Sequence, residues 1–194
     1  DDAVCAYAVE KVAGRVKVIA GSGSNSTETQ LMKSKTYANM GVDALLCISP
    51  YYNKANEEGM YRHFATVADA VDKPIILYNV PGRTGCSITP AVVGRLSEHP
   101  NVIGIKEASG DIGYAVKIAK YLNDDFVMFS GNDDITIPLM SLGAKGVISV
   151  WANIMPKECH DMVHHYLEGR YEEARKMQIQ YLPIMNALFM EVNP

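Results

Sequence analysis

Short apolar runs that recur along the chain constrain its fold more than any other feature of the sequence. Each run is rich in Val, Ile or Leu and is bounded by turn residues, without polar alternation, which is typical of strands buried on both faces of a sheet. Consecutive runs lie roughly 20 to 30 residues apart, which is far enough for a helix to connect them. The runs cover residues 16–20, 44–48, 75–80, 102–105, 126–129 and 146–150.

The stretches between these runs carry helix signals. Polar residues that can cap a helix precede residues 27–40, and residues 56–71 place apolar side chains at helical spacing. Thr89 precedes Pro90, which gives a cap followed by a proline in the first turn. We expect further helices over residues 112–122 and 133–142, and one that begins at Pro156. Strands that alternate with helices require right-handed crossovers and a parallel sheet.

A parallel α/β sheet is either doubly wound or closed into a barrel, and sequence motifs help to distinguish the two. Neither a GxGxxG segment after the first strand nor a GxxxxGK[ST] segment occurs, so the common nucleotide-binding signatures are missing. This favours a TIM (β/α)8 barrel. A complete barrel takes about 250 residues. The 194 residues here therefore predict a single partial barrel domain, residues 1–194, with about six of the eight βα units.

Composition excludes several classes of protein. With 48% hydrophobic and 21% charged residues, the chain is neither disordered nor collagen-like. A net charge of −4 gives no basic field for nucleic acid or an anionic membrane, and no apolar run approaches the roughly 18 residues that span a bilayer. The four scattered cysteines predict reduced thiols. Since acidic residues stand in place of a secretory signal, we expect a cytoplasmic protein.

In a βα barrel, side chains just past the carboxyl ends of the strands face the active site. Lys106 is the outstanding residue at such a position, because it ends an otherwise apolar strand. A half-buried ammonium is desolvated, which makes a neutral amine available for condensation with a ketone. A lysine that extends to solvent or pairs with Glu107 is the alternative. The other candidates at strand ends are Asn25, Tyr51-Tyr52-Asn53, Tyr78-Asn79 with Arg83, Ser130-Gly131-Asn132 and Ile148-Ser149.

Two of these candidates suit chemistry beside such an amine. Tyr78 closes the neighbouring strand and could move protons to and from an enamine, or it could simply fill the top of the barrel. Arg83 lies in the glycine-rich segment 81–85, which we interpret as a loop. Its guanidinium could hold a carboxylate substrate through two parallel hydrogen bonds, or it could be a solvated loop arginine.

Four segments in a fixed order resemble the dihydrodipicolinate synthase family of pyruvate-dependent class I aldolases. They are Tyr51-Tyr52-Asn53, the segment from Leu77 to Gly85 (LYNVPGRTG), the segment from Gly104 to Gly110 (GIKEASG) and the segment from Gly146 to Val150 (GVISV). The likeness covers essentially the whole chain, and the segment that joins Tyr78 to Arg83 is highly specific.

The resemblance implies a reaction, two substrates and a set of residues. Pyruvate would form a Schiff base with Lys106 and condense with aspartate semialdehyde in lysine and diaminopimelate biosynthesis, without a metal or organic cofactor. Tyr78 would donate and accept protons, Arg83 would hold the carboxylate of the semialdehyde, and Ile148 would contact pyruvate through its backbone. Tyr52 would be a relay tyrosine that reaches into a neighbouring subunit of a homo-oligomer, a dimer of dimers. Asn25 and Tyr51 match an allosteric lysine pocket.

The sequence departs from the family pattern in two ways. Its first predicted strand matches the family's third, so the first two strands, a threonine pair that belongs to the proton relay and the C-terminal helical tail have no counterpart. The partial barrel would then expose two unpaired sheet edges. Thr29 stands where relatives that respond to lysine have a glutamate, which leaves feedback inhibition open.

Three alternatives stay open from the sequence. Another pyruvate aldolase, such as an N-acetylneuraminate lyase or a keto-deoxy-sugar acid aldolase, would share the lysine, although Arg83 and the residues after Lys106 argue against it. A truncated barrel without catalytic activity is the second. A metal site is the third, since His160 and His164 share a helix face; we expect instead solvent-facing histidines and no metal.

Overall fold

A computed structural model describes residues 1–191 of the chain. Its helices are α1 (Asp2–Val12), α2 (Thr27–Asn39), α3 (Glu57–Ala70), α4 (Pro81–Thr84), α5 (Pro90–Ser97), α6 (Ile112–Ala119), α7 (Thr136–Ser141), α8 (Pro156–Leu167) and α9 (Tyr171–Ala187). Its strands are β1 (Ile19–Gly21), β2 (Ala44–Ile48), β3 (Ile75–Asn79), β4 (Val102–Glu107) and β5 (Val127–Ser130). Short 3-10 helices cover Asp133–Ile135 and Trp151–Asn153.

Side-chain caps set the starts of four helices, two of them, before α2 and at Thr89, as predicted. The side chains of Ser26, Asn56, Thr89 and Asp111 each accept a hydrogen bond from a backbone N–H three residues further on, at the starts of α2, α3, α5 and α6. Such a bond satisfies one of the amide groups that the first helical turn leaves without an intrahelical partner. The helices predicted over residues 27–40 and 56–71 are thereby confirmed to within a residue at each end.

The order of the strands identifies the architecture. All five strands are parallel and lie in the sheet in chain order, β1-β2-β3-β4-β5. A doubly wound sheet reverses its strand order at a switch point, whereas the wall of a βα barrel does not. The sheet is therefore a segment of barrel wall, and the prediction of a partial TIM barrel is confirmed in its topology.

The sixth predicted strand is only partly formed. Over residues 146–150 the chain makes one bridge, Ser130 to Val147, supported by a hydrogen bond from the Ser130 amide to the Gly146 carbonyl. The pairing stops there because the backbone amides of Val150 and Trp151 donate to the Asp133 carboxylate instead. The segment follows the parallel order of the sheet but turns into a 3-10 helix before it can extend the ladder.

The two faces of the sheet differ in burial, and this difference positions the site. Cys47, Leu77, Ile105 and Met128 lie in register on neighbouring strands and are fully buried under the helices. Successive residues of a strand point to opposite faces. The next row, Ile48, Tyr78, Lys106 and Phe129, is only half-buried and faces the concave side.

The free edge of β1 is apolar, as the partial barrel predicts. Ile19 is 43% exposed, and Val16, Val4 and Tyr7 beside it are exposed as well. Val16 lies outside β1, so the first strand begins three residues later than predicted. A cleft of 320 Å³ runs between this edge and α1, but it contains none of the predicted catalytic residues. No helix within residues 1–191 has the length and hydropathy needed to cross a bilayer.

A buried histidine joins α2 to α3. His63 is 4% exposed; its Nδ1 lies 2.8 Å from the Thr27 hydroxyl, and its Nε2 lies 3.1 Å from Oε1 of Gln30. The glutamine oxygen accepts, so Nε2 carries the proton and Nδ1 accepts from the hydroxyl. The same oxygen also accepts from the Ser24 amide, which ties the loop after β1 to both helices. Burial lowers the pKa of His63 from 6.5 to about 4.

The low pKa of His63 predicts a pH-dependent stability. The unfolded chain binds a proton near pH 6.5, but the folded chain does so only near pH 4. The contribution of neutral His63 to the free energy of unfolding is therefore fully present above pH 6.5. It is lost as the pH falls from 6.5 to 4, and the total loss is about 3 kcal/mol. Urea unfolding across this range should show the loss, and it should be much smaller in H63Q. The exposed control variant H164Q should keep the dependence of the parent chain.

Candidate active site

The carboxyl ends of β3 and β4 bring a lysine and a tyrosine side by side. Tyr78 and Lys106 are paired in register, and Nζ of Lys106 lies 4.4 Å from the centroid of the Tyr78 ring. Both side chains are half-buried on the concave face. The lysine is therefore neither extended into solvent nor ion-paired to Glu107, which was the alternative interpretation. Glu107 points to the opposite face of the same strand.

The surroundings favour a neutral amine and a protonated phenol. Burial lowers the pKa of Lys106; the positive charge of Arg83 lowers it further, and the Asp133 carboxylate acts against both. Burial raises the pKa of Tyr78, although Arg83 acts in the opposite direction. Since an imine forms only from a neutral amine, this lysine is a better nucleophile near neutral pH than an exposed one.

Arg83 reaches the same site from a single helical turn rather than from the predicted loop. Helix α4 begins with Pro81, whose ring suits the first helical position, and it ends at Gly85, whose φ of 69° lies in the left-handed region that favours glycine. The turn holds the arginine beside the lysine in a cleft of 680 Å³. The lining residues are Tyr78, Val80, Gly82, Arg83, Lys106, Ala108, Gly131, Asn132, Val150, Phe189 and Glu191.

A buried polar pair fixes the two strand ends from the helix-covered face. Glu107 is 1% exposed; one carboxylate oxygen accepts from the Asn79 amide at 2.7 Å, and the other accepts from the backbone N–H of Ser109 at 2.7 Å. Asn79 in turn accepts from the Ile88 amide at 2.9 Å. Burial raises the pKa of Glu107, although both hydrogen bonds oppose the shift. The pair locks β3 to β4 directly behind the Tyr78 and Lys106 side chains.

Gly131 allows the end of β5 to pass close to the lysine. A Cβ atom at this position would lie 2.5 Å from the Cβ of Ala108 and 3.1 Å from the Cε of Lys106. The Gly131 amide also donates to the Glu107 carbonyl at 2.7 Å. Only glycine permits this approach of backbone to side chain, so the Ser130-Gly131-Asn132 candidate contributes its backbone to the wall of the cleft.

The other predicted site residues lie outside the cleft. The Ile148 amide donates to the Ser130 carbonyl at 2.9 Å, which places its backbone next to β5. Tyr52 is 89% exposed and has a φ of 73°, so it projects from the surface. The backbone of Asn25 is joined to the segment that contains Tyr51, since Asn53 donates to the Asn25 carbonyl at 2.7 Å. The roles predicted for these residues stay predictions.

The sequence analysis missed Asp133, Phe189 and Glu191. Asp133 directly follows the predicted Ser130-Gly131-Asn132 candidate and could have been included, but its burial could not be read from the sequence. Phe189 and Glu191 line the cleft from beyond the end of α9, and no local signal marked them. On α8 the His160 and His164 rings stack with 3.9 Å between their centroids. The two histidines therefore share one face of the helix, as predicted.

The chain matches the Dihydrodipicolinate synthetase family over residues 1–194. A Thermoanaerobacter protein named 4-hydroxy-tetrahydrodipicolinate synthase is 51% identical over 189 residues, which is 97% of this chain and 64% of that protein. A Clostridium perfringens protein of the same name is 46% identical over 191 residues, 98% of this chain and 66% of its own length. The chain thus spans slightly less than two thirds of these curated relatives.

Solved structures agree with the sequence relatives. A dihydrodipicolinate synthase from Aquifex aeolicus superposes with a TM-score of 0.96 at 41% identity, covering all of this chain and 66% of that one. A structure described as the first monomeric dihydrodipicolinate synthase variant superposes with a TM-score of 0.97 at 38% identity and the same two shares. Both structures superpose on the whole of this chain with TM-scores of 0.96 and 0.97. This similarity confirms that the sheet is part of the barrel wall of this family.

The tight packing at Gly131 predicts that a larger residue at this position lowers the stability of the protein. In G131A the added methyl must displace Ala108 and Lys106, so the free energy of unfolding should fall by about 1–3 kcal/mol. The rate at which an acylating reagent modifies Lys106, followed by peptide mass mapping, should change as well. The matched control is G21A, because a Cβ at Gly21 meets no atom within 4 Å. Equal stability of G131A and G21A in urea would show that the approach is not tight.

Proposed function

Because the chain belongs to the Dihydrodipicolinate synthetase family, we propose that it condenses pyruvate with L-aspartate 4-semialdehyde to 4-hydroxy-tetrahydrodipicolinate. It would act as a lyase of lysine and diaminopimelate biosynthesis. The observation that supports this most is the position of the Lys106 amine, 4.4 Å from the centroid of the Tyr78 ring in a cleft that Arg83 also lines. The amine can form an imine, the phenol beside it can move protons, and the guanidinium can hold a carboxylate.

The first half of the reaction activates pyruvate. The neutral amine of Lys106 adds to the ketone carbon, one proton is taken up as the ketone oxygen leaves as water, and a cationic iminium forms. The iminium withdraws electrons from the neighbouring methyl group, which loses a proton and becomes an enamine. Tyr78 lies beside this nitrogen and, with its phenol protonated at neutral pH, can pass protons to and from the reacting atoms. Since the lysine itself is the electron sink, the proposed chemistry requires no further cofactor.

The second half joins the two substrates. The enamine carbon attacks the aldehyde carbon of the semialdehyde, whose carboxylate Arg83 can hold through a bidentate pair. The aldehyde oxygen takes up a proton and becomes a hydroxyl, and the iminium on Lys106 is restored. The amino group of the bound product then attacks the imine carbon, closes the six-membered ring and displaces Lys106. Each bond made to the lysine is thereby broken again, and the amine returns to its starting state.

Borohydride trapping tests this proposal. The chain is incubated with pyruvate and reduced, and its intact mass and modified peptide are measured. A single pyruvate adduct on Lys106 is expected, none in K106M, and an undiminished adduct in K117M, where an exposed helix lysine is removed. A folded chain that forms no adduct would contradict the proposal. With an adduct established, turnover of N-acetylneuraminate in place of the semialdehyde would instead favour the sugar-acid aldolase.

We further propose that the chain assembles as a homo-oligomer, a dimer of dimers by family resemblance, through the surface that carries Tyr52. An aromatic side chain that is 89% exposed, on a residue with a positive φ beside the 42% exposed Tyr51, is typical of an interface anchor. A cytoplasmic location stays a prediction.

Assembly through Tyr52 predicts an effect on self-association. In Y52A the dissociation constant of the dimer should rise at least about tenfold, because aromatic anchors contribute a large part of interface stability. Analytical ultracentrifugation over a concentration series measures this. The control is Y7A, which removes an exposed tyrosine from α1 and should leave association unchanged. A monomeric parent chain, or equal effects of the two substitutions, would rule out this surface.

A further inference from the structure

One buried carboxylate next to the cleft has no role in the chemistry described so far. Asp133 is 3% exposed and lies in the 3-10 helix that follows β5. The two residues before it, Gly131 and Asn132, line the cleft together with Lys106. A carboxylate at such depth is costly unless it is well solvated by the protein or compensated by a positive charge.

One of its oxygens holds the segment beside the site. Oδ2 accepts from the backbone amides of Val150 at 3.1 Å and Trp151 at 2.9 Å. These amides begin the 3-10 helix Trp151–Asn153, and Val150 is itself part of the cleft wall. The backbone of Asp133 is fixed in turn, because its carbonyl accepts from Nε2 of the buried Gln178 in α9 at 3.0 Å. The carboxylate is therefore held rigidly between three parts of the fold.

The other oxygen has no hydrogen-bond partner. Among the residues that the structure describes, Oδ1 of Asp133 is buried and unpaired, and so is Oδ1 of Asn132 in the cleft wall. An oxygen without a donor leaves much of the negative charge uncompensated at this buried position. Fixed charge of this kind acts over several ångströms with little screening. Gly131, two residues before Asp133, passes so close to the lysine that a Cβ there would lie 3.1 Å from the Cε of Lys106. The carboxylate acts on this lysine by raising the pKa of its amine.

We propose that Asp133 is a positioning residue that serves as the fixed counter-charge for the cation formed on Lys106, while it holds the segment 148–151 in place. This inference rests on the proposed imine chemistry. The neutral amine, the ketone and one proton give the iminium and water, so a positive charge appears on this nitrogen as the imine forms. A preorganised anion stabilises such a charge without any rearrangement during the reaction.

The other charged and titratable groups around the lysine do not supply this counter-charge. Tyr78 in β3 has a pKa raised by burial and stays neutral. Arg83 in α4 is a cation, and its charge lowers the pKa of Lys106. Glu191 also lines the cleft but does not contribute to the pKa shift of Lys106. On the side of Asp133 lies Cys159 in α8, whose thiol is kept protonated because burial and Asp133 both raise its pKa.

The decisive variant is D133N, compared with D134N as a matched control. The asparagine side chain in D133N keeps an oxygen that can accept from the amides of Val150 and Trp151, but it carries no charge. D134N removes a charge from the neighbouring residue, whose side chain is exposed. The rate of pyruvate-imine formation is measured by borohydride trapping from pH 5 to 10. In D133N we expect the midpoint of the profile to move to lower pH by roughly 0.5–1 unit, with a roughly three- to tenfold smaller equilibrium fraction of iminium. In D134N both should be unchanged.

The outcomes separate this inference from the proposed function. No adduct in the parent chain would refute the imine chemistry itself. An adduct in the parent with a superimposable pH profile in D133N would overturn only the role of Asp133 as counter-charge. Weaker pyruvate binding with an unmoved midpoint would show a purely structural clamp and would also overturn it. Trp151 fluorescence checks the fold of the variant. If D133N does not fold, D133E is measured instead. Because glutamate keeps the negative charge, the midpoint of its pH profile should equal that of the parent chain. A displaced midpoint in D133E would count against the proposal.

Discussion

The register between β3 and β4 is the constraint on which the site depends. Parallel pairing places Tyr78 beside Lys106 on one face and Asn79 beside Glu107 on the other. The hydrogen bond of 2.7 Å between the second pair is buried, where a mispaired amide or carboxylate would cost several kcal/mol. A slip of one residue would break this bond and turn the lysine towards the helices. One buried polar contact therefore fixes the geometry of the reacting pair on the opposite face.

The electrostatics of the cleft result from a small number of charges in a poorly solvated space. Burial makes the lysine amine easier to deprotonate, Arg83 adds to this effect, and Asp133 limits it. An amine that was only desolvated would form an imine readily but would hold the resulting cation poorly. A balance of one cation and one anion around the lysine suits both a neutral nucleophile and a charged intermediate.

The sequence predicted the elements with strong local signals and the residues that the sheet geometry brings together. Strand β2 was predicted at its observed bounds, and α2 and α3 followed from their caps and their apolar spacing. Lys106, Tyr78 and Arg83 do share one cleft. This could be predicted because strand ends in a barrel converge on one rim, so position along the strand is enough to place a side chain.

What could not be predicted depends on contacts between distant segments. The segment 146–150 has a strand-like composition, but the Asp133 carboxylate captures its next two amides and stops the ladder. The turn around Arg83 contains two glycines, which suggested a loop, yet Pro81 and the left-handed Gly85 make it one turn of helix. Phe189 and Glu191 reach the cleft because α9 packs against α7 and the 3-10 helix Asp133–Ile135. None of these contacts produces a helical or strand-like spacing of apolar residues that could be recognised in the sequence.

The chain-order arrangement of the sheet also bears on how the molecule reaches its folded state. Each strand pairs with the next one along the chain, and the residues joined behind the reacting pair are only 28 positions apart. Closing such a short segment costs little entropy compared with joining distant parts of the chain. The lysine and its tyrosine can therefore come together when a single βα unit docks, before the remaining strands are in place. The proposed active site is then among the earliest long-range features that folding can build.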